Sequence, residues 1–380
     1  MTENTHQDPL IPPEDALSNA LYKSSKLDHL FPIHNSDSPT PTATTTIAKS
    51  AISTDLGPSP YQPQWKLLRT LAGAHQGWIQ AVAIDETTNN WFATGSQDAT
   101  IKIWNLQNNQ IRATLTGHIM GVRTLAISRR FPYLFSGSED KTMRCWDLER
   151  SHDASGCQIR NFHGHVGGVY ALALHDAVDV VLSGGRDAVV RVWDIRTSKE
   201  VALLTGHTND ITSIIADASE PQVVTSSMDG TIKLWDLRNS KCITTITQHP
   251  KSIRDMKAHP LEYTFVSGDS GGGIKQWVLP KAELLENFER DEHASGSKVI
   301  NTLSINPVTN TLFAGYDDGK MDFYNYTSGK LIQSGYTRHL PGSEGAAIYA
   351  STFDMSGLRL ITCEGDKSIK IWGDDDGANE

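Results

Sequence analysis

The chain has 380 residues, 38% of them hydrophobic, and a formal net charge of −10. That length accommodates one large domain with appendages, and the apolar content suffices for a packed core. The charge sits at the ends, −4 over residues 1–60 and −4 over residues 374–380, leaving −2 between them, which is not the balance of a broad nucleic-acid binder.

Residues 1–60 are rich in Pro, Ser and Thr, with TPTATTTIAKS and GPSPYQP as the clearest low-complexity pieces. Such a segment buries too little apolar surface to offset its ordering entropy, so a flexible acidic arm is expected. Within it EDALSNALYKSSKLDHLF places Ala16, Leu17, Ala20, Leu21, Leu27 and Leu30 at helical spacing. Two readings stand, a transient helix and a helix stable only against a partner. The N-terminus MTENTHQDPL lacks a secretory pattern and no run of 18 apolar residues occurs, so a soluble intracellular protein is expected. Cys145, Cys157, Cys242 and Cys363 show neither close pairing nor zinc-ligand spacing, which favours free thiols in a reducing compartment.

From Trp65 onward the chain repeats. Short apolar segments bounded by turn residues suit strands better than helices. Strand-ending aromatics fall at Trp104, Trp146, Trp193, Trp235, Trp277, Tyr324 and Trp372, at intervals of 42 to 48 residues, the period of a four-stranded propeller blade. His118, His165, His207 and His249 each lie 28 residues before their Trp, and His75 lies 29 before Trp104. Asp98, Asp140, Asp187, Asp229, Asp318 and Asp366 each lie six before their aromatic. These registered marks predict an all-β, seven-bladed β-propeller over residues 61–373, followed by an acidic tail over 374–380. The segment WKLLRTLAG precedes the first copy and has no blade of its own, whereas the last copy ends at Trp372 without an outer strand. The first strand is therefore expected to complete the last blade and remove an exposed sheet edge.

Four copies carry a full set of polar residues with an expected structural job: His75, Thr94, Asp98 and Trp104; His118, Ser136, Asp140 and Trp146; His165, Ser183, Asp187 and Trp193; His207, Thr225, Asp229 and Trp235. A turn Asp, a His bonding it, a hydroxyl and an indole donor would brace each blade internally. The later copies depart from this. Blade five has His249, Ser267 and Trp277 but Gly271 at the Asp position, inside a run that reads as a loose turn; blade six has Ala314 and Tyr324, with His293 31 residues from the aromatic; blade seven has Thr362, Asp366 and Trp372, with His339 33 residues away. Blades five to seven are expected to be less internally bonded and softer.

The GH and WD ends resemble the WD-repeat β-propellers. Within them, WKLLRTLAGAHQGWIQAVAID, NNWFATGSQDATIKIWNL, TLTGHIMGVRTLAIS, PYLFSGSEDKTMRCWDLE and RNFHGHVGGVYALALH are similar to the pleiotropic regulator family of pre-mRNA-splicing WD-repeat proteins. The resemblance implies a non-enzymatic scaffold of the spliceosome, in the Prp-nineteen-associated assembly, acting in the nucleus. It implies other spliceosomal proteins as partners. Contact with small nuclear RNA through the chain's arginines would be local, given the near-neutral charge between the two ends, and no membrane, small-molecule substrate or cofactor is expected.

No catalytic or metal-binding residue is assigned. The His, Ser and Asp that could suggest a hydrolase recur in blade after blade with a Trp, whereas an active site occurs once. The Gly271–Gly273 run lacks the Lys-Ser/Thr and helix of a phosphate loop. Function is expected on surfaces instead. Loops on the narrow face, around the central channel, supply Trp78, Arg123, Tyr170, Arg186, Met228 and Arg254, residue types enriched in binding hot spots. Separately, Trp193-Asp194-Ile195-Arg196 and Trp235-Asp236-Leu237-Arg238 resemble the WDxR motif by which some WD-repeat proteins bind the adaptor of cullin-RING ubiquitin ligases. An alternative function as a substrate receptor would use Asp194, Arg196, Asp236 and Arg238, which could equally pair with each other or with their own turns.

Overall fold

The computed structural model describes residues 64–374 apart from 151–156, 217–221, 289–298 and 344. The arm with its helical pattern, His293 and the tail beyond Asp374 lie outside the described residues. Among those described, 28 strands form seven four-stranded antiparallel sheets. From the channel outward, blade one is Ile79–Ile84, Trp91–Ser96, Ile101–Asn105 and Ile111–Leu115. Blade two is Val122–Ile127, Tyr133–Ser138, Thr142–Asp147 and Gln158–His163; blade three is Val169–His175, Val180–Gly185, Val189–Asp194 and Glu200–Thr205. Blade four is Ile211–Ala216, Gln222–Ser227, Ile232–Asp236 and Lys241–Ile246; blade five is Ile253–Ala258, Thr264–Asp269, Ile274–Val278 and Glu283–Asn287. Blade six is Ile300–Ile305, Thr311–Tyr316, Lys320–Asn325 and Leu331–Tyr336. Blade seven takes Ile348–Phe353, Arg359–Glu364 and Ile369–Asp374, and Trp65–Leu71 pairs with the last of these as its outer strand.

Burial follows position in the blade. Second strands such as VVLSGG and TLFAGY are buried at every residue, because neighbouring blades cover both faces of the sheet. Outer strands such as KCITTI have one face to water and bury little. The core is accordingly a ring of clusters, each joining two adjacent blades, such as Phe135, Met143 and Phe162 with Val181 and Trp193.

The polar marks of the repeat meet inside each blade. In blade two, His118 Nδ1 lies 2.8 Å from Asp140 and its Nε2 lies 2.7 Å from Ser136 Oγ, which also accepts Trp146 Nε1–H at 2.8 Å. Blades one, three and four repeat this with Thr94, Ser183 and Thr225 at the centre. Each turn holds a residue in the left-handed region just after the Asp position: Ala99, Lys141, Ala188, Gly230, Gly272, Gly319 and Lys367. The Asp carboxylate fixes that turn by accepting backbone N–H groups, for example Thr142 N at 2.9 Å.

Two expectations need correction. Blade five is braced although Gly271 occupies the Asp position. Asp269, two residues earlier and buried, lies 3.3 Å from His249 Nδ1 and accepts the N–H groups of Gly271 and Gly273 at 2.8 and 2.7 Å. The glycine run is therefore a tied turn rather than a loose one. Blades six and seven are bonded differently, not less. In blade six Lys320 donates to Asp322 at 2.9 Å, and Tyr324 donates to the same carboxylate at 3.3 Å. In blade seven His339 is exposed, and Lys370, at the repeat position of Lys102 and Lys275, is the buried cation instead, donating to Thr337 Oγ1 and the Arg338 carbonyl at 2.6 Å each and to Glu364 at 2.5 Å.

The braces set an acid limit. Burial alone would raise the Asp98 and Asp229 carboxyls, but hydrogen bonds from Thr100 and Thr231 and from backbone N–H groups bring both down to about 2. Burial also lowers His75 and His207, against the pull of their aspartates. Both shifts make the folded state more stable at neutral than at acid pH. The histidine contribution is lost as pH falls below about 6.5, and the carboxylate contribution as it falls from about 4 towards 2. Asp229→Asn is expected to cost about 1–3 kcal/mol at pH 7, and urea titrations should show the gap from the parent protein narrowing as the pH is lowered to about 3.

Candidate interaction face

Each blade's inner strand carries a bulge at its second residue. In blade two, Val122 pairs with Ser138 and Thr124 with Gly137, leaving Arg123 unpaired between them. The same slip leaves Gln80, Tyr170, Thr212, Arg254, Asn301 and Tyr349 unpaired in the other blades. A bulge re-aims its extra side chain, and here all seven line one mouth of the channel, a cavity of about 500 Å³. A second cavity, of about 610 Å³, shares Val82, Leu125, Ile215, Lys257 and Ala258 with the first and opens at the wide face.

Arg123, Tyr170 and Arg254, three of the six residues expected at the narrow face, are bulge residues. Met228 also lines the cavity. Trp78 precedes the inner strand of blade one, with its ring 5.9 Å from that of Tyr349. Arg186 sits in the brace turn of blade three, its backbone N–H bonded to the Gly168 carbonyl at 2.9 Å. Neither Trp78 nor Arg186 is part of the cavity wall, although both stand on the same face. Gln80, Thr212, Asn301 and Tyr349 escaped the sequence reading. In blades one to five the bulge residue follows the repeat His by five positions, and from blade two onward it precedes the aromatic by 23, a signal available once the copies are aligned. Ile119, which is 83% exposed, and Val166 add apolar surface in the loops just after His118 and His165.

The charges on this face differ from blade to blade. Arg123 donates to Glu139 at 2.5 Å and lies 5.4 Å over the Tyr170 ring. Arg186 and Arg254 make no ion pair among the described residues. Burial raises the Asp255 carboxyl, which Lys257 opposes, and this group accepts N–H bonds from Met256 and from Leu303 of the next blade at 2.8 and 2.9 Å. Burial also raises the Tyr349 hydroxyl. The arrangement combines aromatic and apolar groups over blades seven to three with arginines free of ion pairs at blades three and five, around the mouth of the channel.

The WDxR residues lie at the opposite end of the blades. Asp194 accepts Arg196 N–H and Thr197 Oγ1–H, both at 2.8 Å, and Asp236 accepts Arg238 N–H at 2.9 Å and Asn239 Nδ2–H at 2.7 Å. Both carboxylates thus cap their own turns, and nothing in this geometry favours a ligase adaptor. Among the described residues no group of three or more His, Cys, Asp or Glu could hold a metal, and no helix is long and apolar enough to cross a membrane. Cys145, Cys157 and Cys363 are buried thiols and Cys242 is an exposed one; burial pushes Cys145 up to about 12.

Comparison with known proteins adds identity along the chain. The β-propeller family model described as the nucleolar protein 10-like N-terminal domain matches residues 79–246 and again 160–326, and the WD-domain G-beta repeat model matches 334–373. The pre-mRNA-splicing factor PRP46 of Candida albicans is 66% identical over 373 residues, covering 96% of this chain and 95% of that protein. The protein of the same name from Debaryomyces hansenii is 56% identical, covering 98% and 93%. Protein pleiotropic regulator PRL2 of Arabidopsis thaliana is 43% identical, covering 83% of this chain and 63% of its own length.

Proposed function

The chain belongs to the pleiotropic regulator family of pre-mRNA-splicing WD-repeat proteins, and from that membership we propose that it acts in pre-mRNA splicing as a protein-interaction scaffold of the spliceosome. The observation that carries this is the 66% identity to a pre-mRNA-splicing factor over nearly the whole of both chains. The fold supplies the means. Seven braced blades make a disc whose loops keep fixed separations, so partners held on different faces keep a fixed mutual geometry.

In this reading the protein is non-enzymatic, works in the nucleus and joins the Prp-nineteen-associated assembly. Its narrow face grips an extended protein segment, with apolar side chains against Trp78, Tyr349 and Ile119 and an acidic group at Arg254. Affinity purification of the tagged protein from nuclease-treated nuclear extract is expected to recover splicing proteins. Combined Trp78→Ala, Tyr349→Ala and Arg254→Glu should lower recovery of at least one of them about tenfold or more, equivalent to ~1.4 kcal/mol, with little change in melting temperature. Absence of splicing proteins from the parent purification would overturn the reading. Unchanged recovery with the triple variant would move the grip away from the narrow face.

A further inference from the structure

The wide-face turns joining the third and outer strands offer an internal control, because several blades build the same turn. In blade three it is Asp194–Lys199, DIRTSK, and in blade four Asp236–Lys241, DLRNSK. Each closes with a serine in the left-handed region, Ser198 at φ 59° and Ser240 at φ 51°. Blade one makes the turn from NLQNNQ: Asn105 Oδ1 accepts Gln107 N–H at 2.8 Å, and Asn109 has φ 57°. The turn therefore needs no cation, and Arg196, Lys199, Arg238 and Lys241 are not demanded by the fold. All four are exposed, and among the described residues none makes an ion pair or a side-chain hydrogen bond. The carboxylates beside them are committed. Asp194 and Asp236 cap their own turns, and Asp179, whose carbonyl accepts Ile195 N–H at 3.3 Å, accepts Arg130 Nη1–H at 2.7 Å.

Arg130 links this cationic pair of turns to an aromatic surface. Its neighbour Phe131 is 42% exposed and stacks on Tyr133 at 5.7 Å. Phe131 also lines a groove of about 350 Å³ with Trp91, Arg112 and Glu149 at the boundary of blades one and two. Uncommitted cations beside exposed aromatic faces are the combination that holds a single strand of nucleic acid, phosphates on the cations and bases on the rings. We propose that the wide-face edge of blades two to four binds the sugar–phosphate backbone of single-stranded RNA, with Arg196, Lys199, Arg238 and Lys241 on phosphates and Phe131 under a base. The choice of RNA rests on the splicing reading; the cationic, aromatic-flanked site does not. The near-neutral propeller confines such binding to this patch.

The test uses the purified full chain and a fluorescein-labelled 20-nucleotide oligouridine, read by anisotropy over a salt series. Replacing all four cations by Glu is expected to weaken binding about tenfold or more at 100 mM salt and to reduce the log–log salt slope by ~2–3, at ~0.7 per phosphate contact. Phe131→Ala should weaken binding about fivefold or more with the slope unchanged. Absence of binding by the parent protein at 50 mM salt, or parent-like affinity in the fourfold variant, overturns the proposal. So does an acidic peptide that binds the parent and not the variant while the RNA binds neither. The fourfold variant should still recover splicing proteins from extract, so failure here is distinguishable from failure of the scaffold reading.

Discussion

Deleting residues 61–72 is expected to lower the melting temperature by ~10 °C or more and to make the protein self-associate. Trp65–Leu71 supplies the outer strand of blade seven, paired with Ile369–Asp374 from Leu71↔Ile369 to Trp65↔Asp374. Without it the third strand of that blade becomes an open edge, a template for pairing with another chain. Trp65 is the anchor. It is buried, stacks on Phe323 of blade six at 5.6 Å with rings 3° from parallel, and meets Phe353 edge-on at 5.4 Å. Gln333 of blade six grips its backbone from both sides, Nε2–H donating to the Trp65 carbonyl at 3.0 Å and Oε1 accepting the Trp65 N–H at 2.9 Å. Trp65→Ala alone should cost about 3–5 kcal/mol, or ~5–15 °C for a domain of this size. Val201→Ala, on the exposed outer strand of blade three, should change stability by less than ~0.5 kcal/mol. Calorimetry and size-exclusion chromatography read both effects. A deletion that melts with the parent and stays monomeric would show that the closure contributes little.

The closure was readable in the sequence because it depends on counting: one strand too many at the start, one too few at the end. The braces of blades one to four were readable because His, hydroxyl, Asp and Trp keep a fixed spacing. Blade five defeated the same count. Asp269 reaches the His249 ring from two positions upstream, and only the path of the turn through Gly271–Gly273 brings its carboxylate there. Blade seven defeated it because Lys370 has the same residue type and repeat position as Lys102 and Lys275, and only its burial beside Glu364 sets it apart. The face was half readable. Arg123, Tyr170 and Arg254 stand out as residue types, but Gln80, Thr212 and Asn301 matter by position, and that position is a bulge created by strand pairing.

Lys370→Met should be costly, and its cost should depend on pH. Lys370 is 1% exposed and its partner Glu364 is buried to the same degree. Burial pushes the Glu364 carboxyl up to about 7, while Lys370 and the Thr337 hydroxyl oppose the shift. Removing the ammonium leaves an uncompensated buried acid, worth about 3–5 kcal/mol of lost stability. An acid whose folded value exceeds its unfolded value binds more protons when folded, so stability falls as pH rises between the two. Without Lys370 the folded value climbs further and that window extends upward. The variant's deficit relative to the parent should therefore be smallest near pH 5 and grow towards pH 8. Adding Glu364→Gln should restore much of the loss at pH 8, since an amide keeps a partner for Thr337 without a buried charge, and should remove the pH dependence. Urea denaturation at pH 5 and pH 8 decides it. A deficit that is equal at both, or a double variant no more stable than Lys370→Met, would mean that Lys370 stabilises blade seven through Thr337 and the Arg338 carbonyl rather than by neutralising Glu364.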